Sequence, residues 1–309
     1  MVESSCQRKA LAIADKIESH LGLKVKLSEP MHKHTSFRVG GPADFYLEPT
    51  TVQELSAVID LLLEAGVSFK IIGNGTNLLV SDNGYRGAII RLGPRYASWL
   101  REGNQLWAEA GISLPVLAKR AANEGLSGLE FLSGIPGTVG GALYMNAGAW
   151  GSTIGAKVVA AWVLKGQEMV QISRTELDFA YRYSNLQKQT ILAAQFQLQE
   201  ATSAEIQELM AGYLRRRQES QPLGLPSAGS VFRNPPDLKA AKIIDELGLK
   251  GMVIGGAQVS PVHANFIVNL GYATASDIYR LILEVQSVVE QETGIKLKPE
   301  IEQIGFTSP

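Results

Sequence analysis

Cysteine is almost missing: Cys6 is the only one in 309 residues. A single thiol rules out an intrachain disulfide and any cysteine-rich zinc site, which suits a reducing, cytoplasmic setting. A surplus of either charge is missing too, because 29 basic residues face 30 acidic ones. Without a basic excess, neither nucleic acid nor an anionic membrane is the expected main partner. No apolar run is long and unbroken enough to span a bilayer. The opening Met1-Val2-Glu3-Ser4-Ser5 lacks the basic-then-apolar order of a signal peptide. Histidine is sparse, and of His20, His32, His34 and His263 only His32 and His34 lie close together, with no third zinc ligand at a suitable spacing. There is no fixed repeat and no low-complexity segment.

What is present is core-forming material. A chain that is 45% hydrophobic and 19% charged reads as a soluble globular protein, and its length favours two or three domains. Residues 43–47 read as a strand. Thr51 then caps a helix, with Glu54 as a capping box and Leu55, Val58, Ile59, Leu62 and Leu63 at helical spacing up to Gly66. A strand at 69–72 runs straight into Gly73-Asn74-Gly75, giving the order strand, helix, strand, loop of an α/β unit. Further strands are expected at 88–91, 105–110, 157–164, 168–172 and 191–199, with a helix from Ser113 to Gly125. Beyond a boundary near residue 200, Thr202 and Glu205 form a capping box for a helix carrying Ile206, Leu209, Met210, Tyr213 and Leu214. Helices at 239–247 and 276–292 and strands at 264–270 and 296–304 complete a tail large enough to be a separate α/β domain.

Five segments carry candidate chemistry. In Gly73-Asn74-Gly75-Thr76-Asn77-Leu78 the glycines let backbone N–H groups approach an anion, and Thr76 and Asn77 add side-chain donors. A pyrophosphate would fit; so would a plain tight loop between strands. The dinucleotide fingerprint is not met, since its third glycine position is Leu78. The stretch Ser133-Gly134-Ile135-Pro136-Gly137-Thr138-Val139-Gly140-Gly141, followed by Asn146-Ala147, requires a backbone packed closely on something. Two such loops in one chain favour a shared phosphate-rich ligand over two coincidental backbone contacts. Tyr181-Arg182-Tyr183 is either a solvated turn or a planar cationic fork for a carboxylate. Ser230 follows the small residues Ala228 and Gly229 outside any Gly-x-Ser-x-Gly elbow, so a structural hydrogen bond competes with catalysis. Glu300 alternates with Ile301 and Glu302, a pattern that usually points carboxylates at water.

Taken together these segments resemble the UDP-N-acetylenolpyruvoylglucosamine reductase (MurB) family. The likeness runs through His34-Thr35-Ser36-Phe37-Arg38-Val39-Gly40-Gly41, residues 73–80, residues 134–141, residues 181–185, Ala228-Gly229-Ser230-Val231-Phe232-Arg233-Asn234-Pro235 and His263-Ala264-Asn265-Phe266-Ile267-Val268-Asn269. It extends from about Met31 to Gly305 and, without a long Tyr-bearing insertion, is similar to the shorter of two subtypes. Arg233 and Trp150 stand where Lys and Tyr are usual.

The resemblance implies an α/β (α+β) chain: a two-subdomain FAD-binding fold of the vanillyl-alcohol-oxidase type plus a C-terminal α/β substrate-binding domain. The expected division is a helical segment over 1–30, FAD subdomains over 31–95 and 96–200, and the substrate domain over 201–309. Non-covalent FAD is implied on Gly73, Asn74, Gly75, Thr76, Asn77, Leu78, Ser133, Gly134, Ile135, Gly137, Thr138, Gly140, Gly141, Asn146 and Ala147. NADPH is the implied reductant, and the partner is a small molecule, the enolpyruvyl ether of a UDP-sugar, handled by a cytoplasmic monomer. Hydride from the flavin would reach the vinyl C3 and a proton from Ser230 would reach C2. Arg182 and Glu300 would stabilise the charge that develops, with Tyr181, Asn234 and Asn265 as substrate contacts. Two rivals stand beside this reading. One is another oxidoreductase of the same flavin superfamily, although Arg38-Val39-Gly40-Gly41-Pro42 offers no His or Cys tether beside its glycines. The other is a non-catalytic nucleotide-binding module.

Overall fold

The computed structural model describes the backbone of residues 5–306 and the side chains of residues 9–306. Contacts divide the chain into two units. The first takes residues 1–27, 44–74 and 87–216, and the second takes 28–43, 75–86 and 217–309.

The first unit begins with α1 (Ser5–Leu21) and α2 (Val52–Glu64). Thr51 caps α2 by accepting from Glu54 N at 3.1 Å, but the Glu54 carboxylate reaches Thr50 N–H at 2.7 Å in place of Thr51 N–H. The capping box is therefore shifted by one residue. Leu55, Val58 and Leu62 are buried against Ala14 and Ile17 of α1 and against Phe45, Leu47, Ala88 and Ile90 of the sheet, as the 3.6-residue period requires. Leu63, placed on the same stripe by spacing, is exposed. That sheet runs in the order Lys26–Pro30, Pro42–Leu47, Tyr85–Arg91, Phe69–Ile72, and its last two strands are parallel. A second, five-stranded sheet is wholly antiparallel: Glu168–Ser173, Val158–Lys165, Thr190–Gln197, Gln105–Glu109, Trp99–Glu102. α3 (Leu114–Asn123) and the short α4 (Val139–Met145) belong to the core that includes Leu117, Leu143, Val163 and Phe196. α5 (Ser203–Ser220) has the expected Thr202–Glu205 box, with 2.7 Å between the hydroxyl and the carboxylate. Of its expected apolar stripe only Ile206 is buried, and Leu209 and Leu214 are exposed.

The second unit is built on α6 (Ala240–Glu246), α7 (Ala275–Thr293) and an antiparallel meander of Val253–Ile254, Ala257–Val259 and Ile267–Asn269. The Thr274–Asp277 capping box starts α7, and the Asp82 carboxylate accepts from Ala275 N and Ser276 N at 2.8 Å each. Leu78–Val80 pairs in parallel with Glu302–Ile304. The strand expected over 296–304 is confined to those last three residues, because Pro299 has no N–H to extend the ladder. Residues 28–43 and 75–86, assigned from sequence to the first flavin subdomain, cluster with the C-terminal part. Long-range bonds tie them there, including Asn269 Nδ2 to Phe37 O at 2.9 Å and Ser81 N to Ile304 O at 2.8 Å. The division also falls inside α5, at residue 216, and not near 200.

Candidate active site

In the first unit the two glycine loops touch. Gly73 follows the strand Phe69–Ile72, and a Cβ there would run into the Thr138 hydroxyl. Only a residue without a Cβ lets the Gly73 backbone come this close to the Thr138 side chain. Thr138 is buried and caps α4 by accepting from Gly141 N at 3.4 Å, while a Cβ on Gly140 would press on Ala110. Asn74 is held from the side by Arg91, whose guanidinium donates to Asn74 Oδ1 at 3.3 Å and to Glu48 Oε1 at 3.1 Å. Glu48 also accepts from the Tyr46 hydroxyl at 3.2 Å. Burial, together with the Glu48 charge, pushes that phenol well above its ordinary range, so Tyr46 stays a donor. Beside Asn74 a cavity of about 290 Å³ is lined by Trp99, Ile112, Ser113, Val116 and Arg120, with the Arg120 guanidinium 5.6 Å from the Trp99 ring centre.

Ser133 is buried and its hydroxyl has no hydrogen-bond partner among the described residues. A buried unpartnered hydroxyl costs stability unless a ligand completes it. By contrast, Asn146 has its side chain occupied within the chain. Its Nδ2 donates to Ala180 O at 2.8 Å and its Oδ1 accepts from Gly155 N at 3.1 Å, from a left-handed backbone at φ 45°. The Ala147 N–H is also taken, by Ala142 O at 2.8 Å. One Nδ2–H and the Oδ1 of Asn146 are thus engaged within the chain, as is the Ala147 N–H, and the second Nδ2–H of Asn146 is not used in these bonds. The Asn146–Ala180 bond ties the end of α4 to the next element, as do Ser184 Oγ and Gln187 Nε2, which both donate to Tyr144 O, at 3.1 and 3.0 Å. The hairpin of Phe179–Ala180 and Tyr183–Ser184 is thereby fixed. At its tip Arg182 sits at φ 55°, a conformation costly for a side-chain-bearing residue, with its guanidinium 5.0 Å from the Tyr181 ring. Tyr181 itself is exposed.

The second unit carries the other candidates. Gly75, at φ 63°, lies where a Cβ would strike the His34 carbonyl. Asn77 donates from Nδ2 to Glu300 O at 3.1 Å and accepts through its own carbonyl from Glu302 N at 2.9 Å. One N–H of its amide thus positions the Glu300 segment, and the second is not used in that bond. Ser230 bridges to Phe266, and its hydroxyl makes no hydrogen bond among the described residues. Glu300 N donates to Val231 O at 2.7 Å, so the Ser230 and Glu300 segments lie on one hydrogen-bonded frame. The Asn234 side chain accepts from Ala240 N at 3.0 Å and is exposed.

Asn265, expected at the substrate, is buried with both amide ends on one residue. Its Oδ1 accepts from Phe232 N at 2.9 Å and its Nδ2 donates to Phe232 O at 2.8 Å. The Asn265 carbonyl takes Val231 N at 2.9 Å as well. Asn265 N donates to His263 Nδ1 at 3.2 Å, and burial holds that ring below its ordinary pKa, keeping Nδ1 an acceptor. Sequence reasoning missed this clamp and the Arg91 brace. The motif around residue 263 signalled that its residues matter, but not that they act on Phe232.

Two family models match the chain, the FAD binding domain over residues 43–167 and the UDP-N-acetylenolpyruvoylglucosamine reductase C-terminal domain over 221–304. The UDP-N-acetylenolpyruvoylglucosamine reductase of Carboxydothermus hydrogenoformans is 42% identical over 296 residues, covering 95% of this chain and 98% of that protein. The chain belongs to the UDP-N-acetylenolpyruvoylglucosamine reductase family. The enzyme of that name from Caldanaerobacter subterraneus subsp. tengcongensis is 45% identical over 91% of the chain and 94% of its own length. A crystal structure of the Thermus caldophilus reductase superimposes with a TM-score of 0.79 at 36% identity, over 91% of this chain and 98% of that one. The expected architecture, an FAD-binding domain followed by the reductase family's C-terminal domain, holds. Among the described residues no helix is long and apolar enough to cross a membrane, and no three His, Cys, Asp or Glu side chains gather as metal ligands.

Proposed function

We propose that this chain is an FAD-dependent reductase that uses NADPH to convert UDP-N-acetylenolpyruvoylglucosamine to UDP-N-acetylmuramate in peptidoglycan synthesis. The observation that carries this reading is the meeting of two glycine loops at Gly73 and Thr138, in a chain of this family. The residues present fit FAD: Gly73, with no Cβ, lets the end of its strand pack on Thr138 so that the two loops present backbone together, and the buried Ser133 hydroxyl lacks a partner among the described residues. Gly73, Asn74, Gly75, Ser133, Gly134, Ile135, Gly137, Gly140 and Gly141 would hold it, mainly through backbone, with Thr76, Asn77, Leu78, Thr138, Asn146 and Ala147 flanking. The cavity beside Asn74 would take the adenosine end. Bound FAD would supply the hydride that NADPH provides and the vinyl C3 accepts.

This chain's own residues do the rest. Arg182 pairs its planar fork with the substrate carboxylate, which gains negative charge as C3 is reduced. Its left-handed backbone and the bolted hairpin pre-orient that fork, so little ordering is left for the reaction step. Glu300 shares in stabilising the enolate-like charge when its carboxyl is protonated or bridged to a cation. Ser230 donates a proton to C2; a hydroxyl stays protonated near neutral pH and here has no competing partner among the described residues. Tyr181 and Asn234 contact the substrate. Asn265 acts one step removed, holding Phe232 and hence the Ser230 segment. The test is anaerobic mixing of purified protein with NADPH, then with the enolpyruvyl ether. Flavin bleaching followed by substrate-dependent return of colour is expected, and bleaching without return would refute the assignment.

A further inference from the structure

Two cations stand opposite each other on paired strands beside the Ser230 segment, with no ion-pair partner among the described residues. The antiparallel bridge between Phe232 and Pro299 puts Arg233 opposite Lys298, and Arg233 N donates to Lys298 O at 2.9 Å. In antiparallel pairing the residues flanking a bridge on both strands project to one face. Arg233 and Lys298 therefore share a face, and directly opposite like charges repel. Neither is ion-paired with any described residue, including Glu300, which lies on that same face two residues beyond Lys298. Arg233 Nε is in addition buried without an acceptor. A buried guanidinium N–H with no acceptor is expensive to keep, whereas the same fork beside a second cation matches a phosphoryl group.

We propose that Arg233 and Lys298 form an anion subsite for a phosphoryl group of a bound nucleotide. The subsite rests on the reading of the chain as a nucleotide-sugar reductase. Arg233 Nε–H supplies a directed bond and Lys298 a point charge, so the anion removes both the repulsion and the unsatisfied donor. The diphosphate of the UDP-sugar and the phosphates of NADPH offer the same chemistry, and binding experiments separate them.

UDP and NADP+ are titrated separately into FAD-loaded wild type, Arg233→Gln, Arg233→Lys and Lys298→Gln by calorimetry, with retained flavin absorbance confirming the fold. Removing a charge-assisted bond is expected to weaken one of the two ligands about tenfold or more in Arg233→Gln. Arg233→Lys restores charge without the fork and recovers part of the loss. A weaker UDP, with a raised KM for the enolpyruvyl substrate and normal bleaching by NADPH, assigns the subsite to the substrate. A weaker NADP+, with a raised KM for NADPH, assigns it to the reductant. Affinities for both ligands within about twofold of wild type in Arg233→Gln and Lys298→Gln would overturn the proposal. If wild type fails to reduce the substrate while UDP binding still depends on Arg233, the functional reading falls and the subsite stands.

Discussion

Asn265 offers a stringent test of the frame that carries Ser230. Replacing it with alanine leaves the N–H and the carbonyl of Phe232 without the partners now at 2.9 and 2.8 Å. Phe232 is itself buried at 2% exposure and Asn265 at 4%, so water has poor access to either group. A buried polar group left unsatisfied costs about 1–3 kcal/mol, giving a total of about 2–6 kcal/mol. Against a typical domain stability of about 5–15 kcal/mol that is a large fraction. Asn265→Asp keeps the acceptor for Phe232 N–H but sets a buried carboxylate against Phe232 O, so a loss at least as large is expected at neutral pH, smaller at low pH where the protonated carboxyl can donate. The assay is urea unfolding of the FAD-loaded protein followed by circular dichroism. It is paired with anaerobic stopped-flow measurement of flavin reduction and of reoxidation by substrate. Flavin reduction by NADPH should be near wild type and reoxidation should slow, because Ser230 lies two residues from the clamp. An alanine variant destabilised by less than about 1 kcal/mol would show that the clamp does not satisfy buried groups, and the reasoning would fail.

Three further outcomes are expected. Gly73→Ala sets a methyl against the Thr138 hydroxyl, so the purified protein should carry little FAD; a normal flavin-to-protein absorbance ratio would contradict the close approach of the loops. Ser230→Ala should bleach normally with NADPH but lose about 10²–10⁴ in the rate of substrate-dependent reoxidation, the usual cost of removing a general acid. A wild-type rate would remove Ser230 from proton donation. Burial depresses the pKa of His263, so the unfolded chain takes up a proton first as pH falls through about 6.5. Stability should therefore rise with pH between the depressed folded value and about 6.5 and level off above it, and His263→Gln should flatten that slope in urea midpoints. A slope unchanged by the substitution would mean that other groups set it.

Local features were legible in the sequence because they depend on neighbours three or four residues away. The α2 stripe of Leu55, Val58 and Leu62, the Thr202–Glu205 box and the strand running into Gly73 all follow from short-range pattern and capping chemistry. Even there the pattern overreached at Leu63 and along α5, since spacing marks a face but not what covers it. The glycine loops announced a close backbone approach without naming its partner. Family resemblance supplied the flavin, and the comparisons established the family.

Tertiary structure decided how those side chains are used. Asn146, Asn77 and Asn265 looked alike as candidate ligand donors, yet each amide is engaged by backbone elsewhere in the chain. The Asn265 bonds span 33 residues and the Asn77 bond spans 223, separations at which no local pattern records a partner. The same reason explains why residues 28–43 and 75–86 gather with the C-terminal part: their hydrogen bonds are long-range, and only folding brings the partners together. The sequence by itself determined the element types, the need for glycine at residue 73 and the inventory of reactive groups. Which polar groups remain free for a ligand, Ser133, Ser230 and the Arg233 Nε–H among them, was settled only when the fold had satisfied the others.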